Sequence, residues 1–112
     1  MTTLANTINM INNGDVPSFA DLSHHFYGMD LWHIRNACFG DSNAAQAFCA
    51  SHDLAWQLGY DNRAVVRMDA THPDSEIKPG TREITVISVT TSHALIVAAL
   101  TAIEMKKARA GT

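Results

Sequence analysis

Apolar and polar positions change period along the chain, and each change marks an element. Between Ala94 and Ile103 only Thr101 is polar, so a helix there is apolar around nearly its whole circumference. A surface helix shows one apolar stripe, whereas a helix apolar all round is covered on more than one side. The run is well short of ~18 apolar residues, which argues against a membrane span. It follows Arg82 to Thr90, the clearest strand in the chain, β-branched at Ile84, Thr85, Val86, Ile87, Val89 and Thr90. The hydroxyls of Thr91 and Ser92 suit a helix N-terminus. These positions predict a helix laid across a small sheet, covered by an N-terminal region or shared with a second subunit.

Upstream, Leu4, Ile8 and Ile11 fall at i, i+4 and i+7, one face of a short helix, which Gly14 ends as a left-handed cap. Pro17 restarts the chain, and Ser18 caps a second helix carrying Phe19, Leu22 and Phe26, broken at Gly28. Asp30 to Phe39 has apolar residues at both helical and alternating offsets. It is read as a short helix or turn that plugs Trp32 into the core. Gly40-Asp41-Ser42-Asn43 signals a loop and cap before a helix from Ala44 to His52. The period then becomes two. Trp56, Leu58 and Tyr60 alternate with Ala55, Gln57 and Gly59, which predicts a half-buried strand. Tyr60-Asp61-Asn62-Arg63 is turn chemistry, and Ala64 to Met68 returns as a second strand. Asp69 to Gly80, polar and holding Pro73 and Pro79, predicts a mobile loop, and Ala108 to Thr112 a frayed tail. The expected class is α+β in a single domain, 1–112. A helical N-terminal region (1–40) precedes a helix, three-stranded antiparallel sheet and helix (41–109).

Composition narrows function mainly by exclusion. The 112 residues carry a net charge of -3, and the basic cluster is Lys106, Lys107 and Arg109 at the tail. A nucleic-acid binder ordinarily carries a basic stripe that neutralises phosphates. An acidic mimic of nucleic acid is equally unsupported, because only 17% of residues are charged and the signs are mixed. Cys38 and Cys49 do not make a secreted disulfide framework, and the N-terminus lacks the basic and long apolar regions of a signal peptide. A cytoplasmic location is expected.

Candidate chemistry is sparse. The histidines His24, His25, His33, His52, His72 and His93 include no His-Glu-x-x-His pair, and Cys38, Cys49 and His52 lack closed zinc spacing. Cys49 precedes His52 by three residues on a helix face, but free cysteine is among the most buried residue types, and packing is the favoured reading. Asp69, Asp74 and Glu76 accompany His72 in the long loop with nothing to fix their geometry. The glycines are isolated, so no phosphate-binding loop is present. No catalytic set, metal or cofactor is expected. Trp56 and Tyr60 are assigned to one strand face, while Phe26, Tyr27 and Trp32 flank Gly28. Core is the favoured reading for these aromatics; exposed, Trp and Tyr anchor protein interfaces. The interaction candidates are Trp32, Trp56, Tyr60 and the tail residues Lys106, Lys107 and Arg109.

Three stretches carry a resemblance. Asp41 to Phe48 looks like an alanine-rich helix start, Leu54 to Gly59 like a strand opening on Gly-Trp, and Thr90 to Leu100 like a Thr-Pro-x-x-Ala-Leu helix. Here Ala55 replaces the glycine, and Ser92 or His93 stands at the proline. Together they resemble the small tailed-phage proteins grouped as phage α-β-α sandwich domains, over roughly the C-terminal two thirds of the chain. The resemblance implies a phage or prophage accessory protein without a catalytic signature. The expected function is a small binding protein that blocks or sequesters a host protein, such as a defence complex of the CRISPR type, with the terminal helix as a homodimer contact. The alternative is a nucleic-acid or nucleotide-binding module. Its element order is that of double-stranded RNA-binding domains, but Thr91-Ser92-His93-Ala94 stands where those domains place lysines. An enzyme using His52 or His72 ranks third.

Overall fold

A computed structural model describes residues 3–67 and 83–110, of which 106–110 by backbone alone. The expected loop from Asp69 to Gly80 and the side chains of Lys106, Lys107 and Arg109 lie outside the described residues. Five helices and three strands follow in the order α1 (Leu4–Asn12), α2 (Phe19–Ser23), α3 (Met29–Cys38), α4 (Ser42–Ser51), β1 (Ala55–Leu58), β2 (Arg63–Arg67), β3 (Glu83–Ile87) and α5 (Thr91–Ala110). The class is α+β.

Local chemistry sets the helix starts. Thr3 Oγ1 accepts from the Asn6 amide at 3.1 Å, Ser18 Oγ from Asp21 at 3.1 Å, and Asp41 Oδ1 from Asn43 at 3.0 Å. Caps of this kind contribute about 1 kcal/mol each. For α5 the cap is Thr90, whose Oγ1 accepts from the His93 amide at 3.1 Å. Ser92, one of the expected capping hydroxyls, is instead buried and donates to the Ala37 carbonyl at 2.8 Å, tying α5 to the end of α3.

The sheet is antiparallel in the order β1-β2-β3. Trp56 pairs with Val66 and Val66 with Ile84; Leu58 pairs with Ala64 and Ala64 with Val86. Directly opposed residues share a face, so these six form the inner surface and Gln57, Val65 and Thr85 belong to the outer one. The β1–β2 turn holds Asp61 and Asn62 at φ 58°, a left-handed conformation that their short polar side chains tolerate.

Helix α5 lies between the inner face of this sheet and a layer made by α1, α3 and α4. Every residue from Ser92 to Leu100 is buried. The excess apolar surface in the sequence is thus explained within one chain: the N-terminal helices form the second cover. Between Ser92 and Leu100 no apolar face is left for the homodimer contact expected of this helix. The buried cluster runs from Ile8 to Ala102, with Phe48, Ile34, Leu95, Ile96 and Leu100 among its fully enclosed members.

Asp30 to Phe39 resolves to the helix α3, but the placement of Trp32 in the core is overturned. Leu31, Ile34, Ala37 and Cys38 form the buried side of α3, and Trp32 is 49% exposed on the other. With 3.6 residues per turn, a helix that turns Leu31 and Ile34 inward turns Trp32 outward.

Candidate functional site

An aromatic ridge on the outer side of α3 is the first unusual surface. Met29, Trp32 and Phe39 are 66%, 49% and 68% exposed, and their spacing of three and then seven keeps them on one side of the helix axis. Phe19, at the start of α2, meets Trp32 edge-on with ring centroids 5.9 Å apart. The Arg35 guanidinium sits 5.4 Å from the Phe19 ring centre, close enough for a cation–π contact. Single exposed apolar residues are ordinary; here Phe19 and Trp32 touch, with Met29 and Phe39 exposed on the same side. The ridge is carried by a helix whose opposite side, Leu31, Ile34, Ala37 and Cys38, packs into the core.

The second feature is a cleft of about 290 Å³ lined by His25, Phe26, Tyr27, Asp30, His52 and Ile103. It forms where the α2–α3 connection, the end of α4 and the C-terminal half of α5 meet. Gly28, at φ 66°, turns the chain between Tyr27 and α3, a conformation glycine reaches without a Cβ penalty. Asp30 Oδ2 lies 2.8 Å from His52 Nε2. Asp30 is in the first turn of α3 and His52 caps the end of α4. Both are about one-third exposed, and a pair in that setting contributes no more than about 1 kcal/mol.

The polar groups around the cleft are not arranged as a nucleophile and base. Ser51 Oγ donates to the Phe48 carbonyl at 2.9 Å and lies 3.4 Å from Asp30 Oδ1. It approaches the carboxylate and not the imidazole, so Ser51, His52 and Asp30 do not form a nucleophile–base–orienter chain. The His52 ring instead rests 4.6 Å from the Phe48 ring.

The remaining candidates are separated by the fold. Trp56 is half-buried on the inner sheet face against the core. Tyr60, expected on the same strand face, stands beyond the end of β1 in the turn, 94% exposed. The strand stops at Leu58 because the reversal through Asp61 and Asn62 begins there. Burial pushes the Cys38 thiol up to about 11 and Cys49 to about 12, so neither supplies a thiolate near neutral pH. His93 is buried with Nδ1 2.6 Å from Thr90 Oγ1. His72, Asp69, Asp74 and Glu76 lie outside the described residues. Among the described residues no group of three or more His, Cys, Asp or Glu is placed to hold a metal ion, and no helix is long and apolar enough to cross a membrane.

Sequence reasoning named Trp32 and missed Met29, Phe19, Arg35 and Phe39. The available signal was the second apolar stripe on α3. The Asp30–His52 pair, 22 positions apart, left no local signal at all. No family model, curated protein or solved structure matches the chain.

Proposed function

We propose that the chain is a small binding protein that acts by occupying a host protein through the ridge on α3. The observation that carries this reading is the exposed group of Met29, Trp32 and Phe39 with Phe19 edge-on to Trp32 and Arg35 beside it. Trp and Arg are the residue types that dominate interface energetics, and Met is enriched at interfaces. Occupation of a partner requires no chemistry beyond a rigid apolar surface. A phage or prophage origin is the source we assign, on the likeness of Asp41 to Phe48, Leu54 to Gly59 and Thr90 to Leu100 to tailed-phage domains. Host defence complexes, CRISPR effectors included, are the first partners to test.

The test is a tagged pull-down from bacterial host lysates, with and without nuclease, using wild type and Trp32→Ala in parallel. The expected outcome is a nuclease-resistant host protein near one-to-one with wild type and depleted in Trp32→Ala, whose thermal unfolding stays close to wild type because the side chain is half in water. Equal capture by both proteins would remove the ridge from the account. Capture of nucleic acid, or of partners lost on nuclease treatment, would favour the nucleic-acid module and the Lys106, Lys107 and Arg109 tail.

A further inference from the structure

The cleft beside the ridge combines ring walls with a carboxylate that is only partly engaged. Asp30 Oδ2 is held by His52 Nε2 at 2.8 Å, while among the described residues Oδ1 has only the long 3.4 Å approach of the Ser51 hydroxyl. A carboxylate offers about four lone-pair positions, so Asp30 retains capacity to accept further hydrogen bonds. Around it stand the rings of His25, Phe26, Tyr27 and His52, with Ile103 adding an apolar wall. The lining residues include one carboxylate, Asp30, and neither lysine nor arginine.

We propose that this cleft takes the guanidinium group of an arginine side chain presented by a protein partner. The chemistry is specific on two counts. A guanidinium is planar and weakly hydrated, so it stacks against ring faces where a compact, strongly hydrated ammonium fits poorly. It also donates charge-assisted hydrogen bonds to a carboxylate, and Asp30 is the acceptor. The aliphatic stem of the arginine lies along Phe26 and Ile103, as long basic side chains do on apolar surface. Tyr27, 87% exposed, stands at the rim where it closes over the incoming group. This deepens the binding reading above by giving the partner's chemistry: an arginine set beside the apolar residues that meet Met29 and Trp32.

The probe is N-acetyl-arginine methylamide, titrated into the purified protein at millimolar concentrations and followed by backbone amide shifts in a heteronuclear NMR spectrum. N-acetyl-citrulline methylamide, equal in shape but uncharged, is the control, and free arginine distinguishes a peptide side chain from a small metabolite. Saturable shifts at Tyr27, Asp30 and His52 are expected with the capped arginine and not with citrulline. Asp30→Asn is expected to weaken the probe about tenfold, the change that follows from one charge-assisted hydrogen bond. Tyr27→Ala is expected to weaken it severalfold without perturbing the fold, which keeps the test interpretable if Asp30→Asn loosens the α3–α4 junction. Equal binding of citrulline, absence of shifts at the cleft, or unchanged binding in both variants would overturn the proposal. Much tighter binding of free arginine would overturn the protein side chain as occupant. Trp32→Ala leaves the probe affinity unchanged, so failure here and failure of the ridge are separately visible.

Discussion

Replacing Phe48 with alanine is expected to destabilise the protein by about 3–5 kcal/mol. Phe48 is fully buried. Its ring meets Phe26 edge-on at 6.1 Å and lies 4.6 Å from His52. The α2–α3 connection and the end of α4, which together wall the cleft, therefore both rest on this side chain. Truncation leaves a void lined by rigid helices, which close-packed interiors fill poorly. Natural domains unfold with about 5–15 kcal/mol, so the variant is expected to retain a marginal fold or none at 37 °C. Urea denaturation followed by circular dichroism measures it: the midpoint falls while the slope stays constant. A loss below about 1 kcal/mol would show that the site collapses around the missing ring, contrary to the packing described.

An aspartate placed at any position from Ala94 to Leu100 is expected to prevent folding. All seven are buried, with Val97 the most accessible at 5%. A helix covered on one side has a water-facing position in nearly every turn, where a charge costs little. A helix covered on both sides has none, and an unpaired buried carboxylate costs several kcal/mol. The scan therefore reads out the number of covered faces. Loss of soluble folded protein at all seven positions is the expected result. Tolerance at two positions on one face, such as Ala94 and Ala98, would show that α5 is open there and would return that face to a second subunit.

The comparison of α5 with α3 shows what the sequence could and could not say. In α5 the apolar residues surround the axis, and burial on all sides was legible because no other environment suits such a helix. The strands were equally legible, since the β-branched residues of Glu83–Ile87 and the alternation of Ala55–Leu58 match the pleat. Helix α3 is different, because it carries apolar residues on both faces. Leu31 and Ile34 on one side and Met29 and Trp32 on the other are equally hydrophobic in composition, and periodicity assigns no preference between them. The choice is made by the layer beneath: α4 and α5 present a groove that Leu31, Ile34, Ala37 and Cys38 fill, leaving Trp32 outside. The cleft was less legible still. Asp30 and His52 meet only because α3 and α4 lie side by side, and that pairing is a property of the tertiary fold. Tyr60 illustrates the reverse error, in which alternation was extended two residues past the point where turn chemistry takes over.

The most direct test of the ridge uses the captured host partner in purified form. Its Kd for wild type and for Trp32→Ala is measured at low and at high salt. Truncation of a tryptophan hot spot costs 2 kcal/mol or more, about thirtyfold in Kd, and an apolar contact loses little affinity with salt. The account predicts that weakening at both ionic strengths, with no change on neutralising Lys106, Lys107 and Arg109. An unchanged Kd for Trp32→Ala, with affinity that falls steeply with salt and disappears on neutralising the tail, would contradict it.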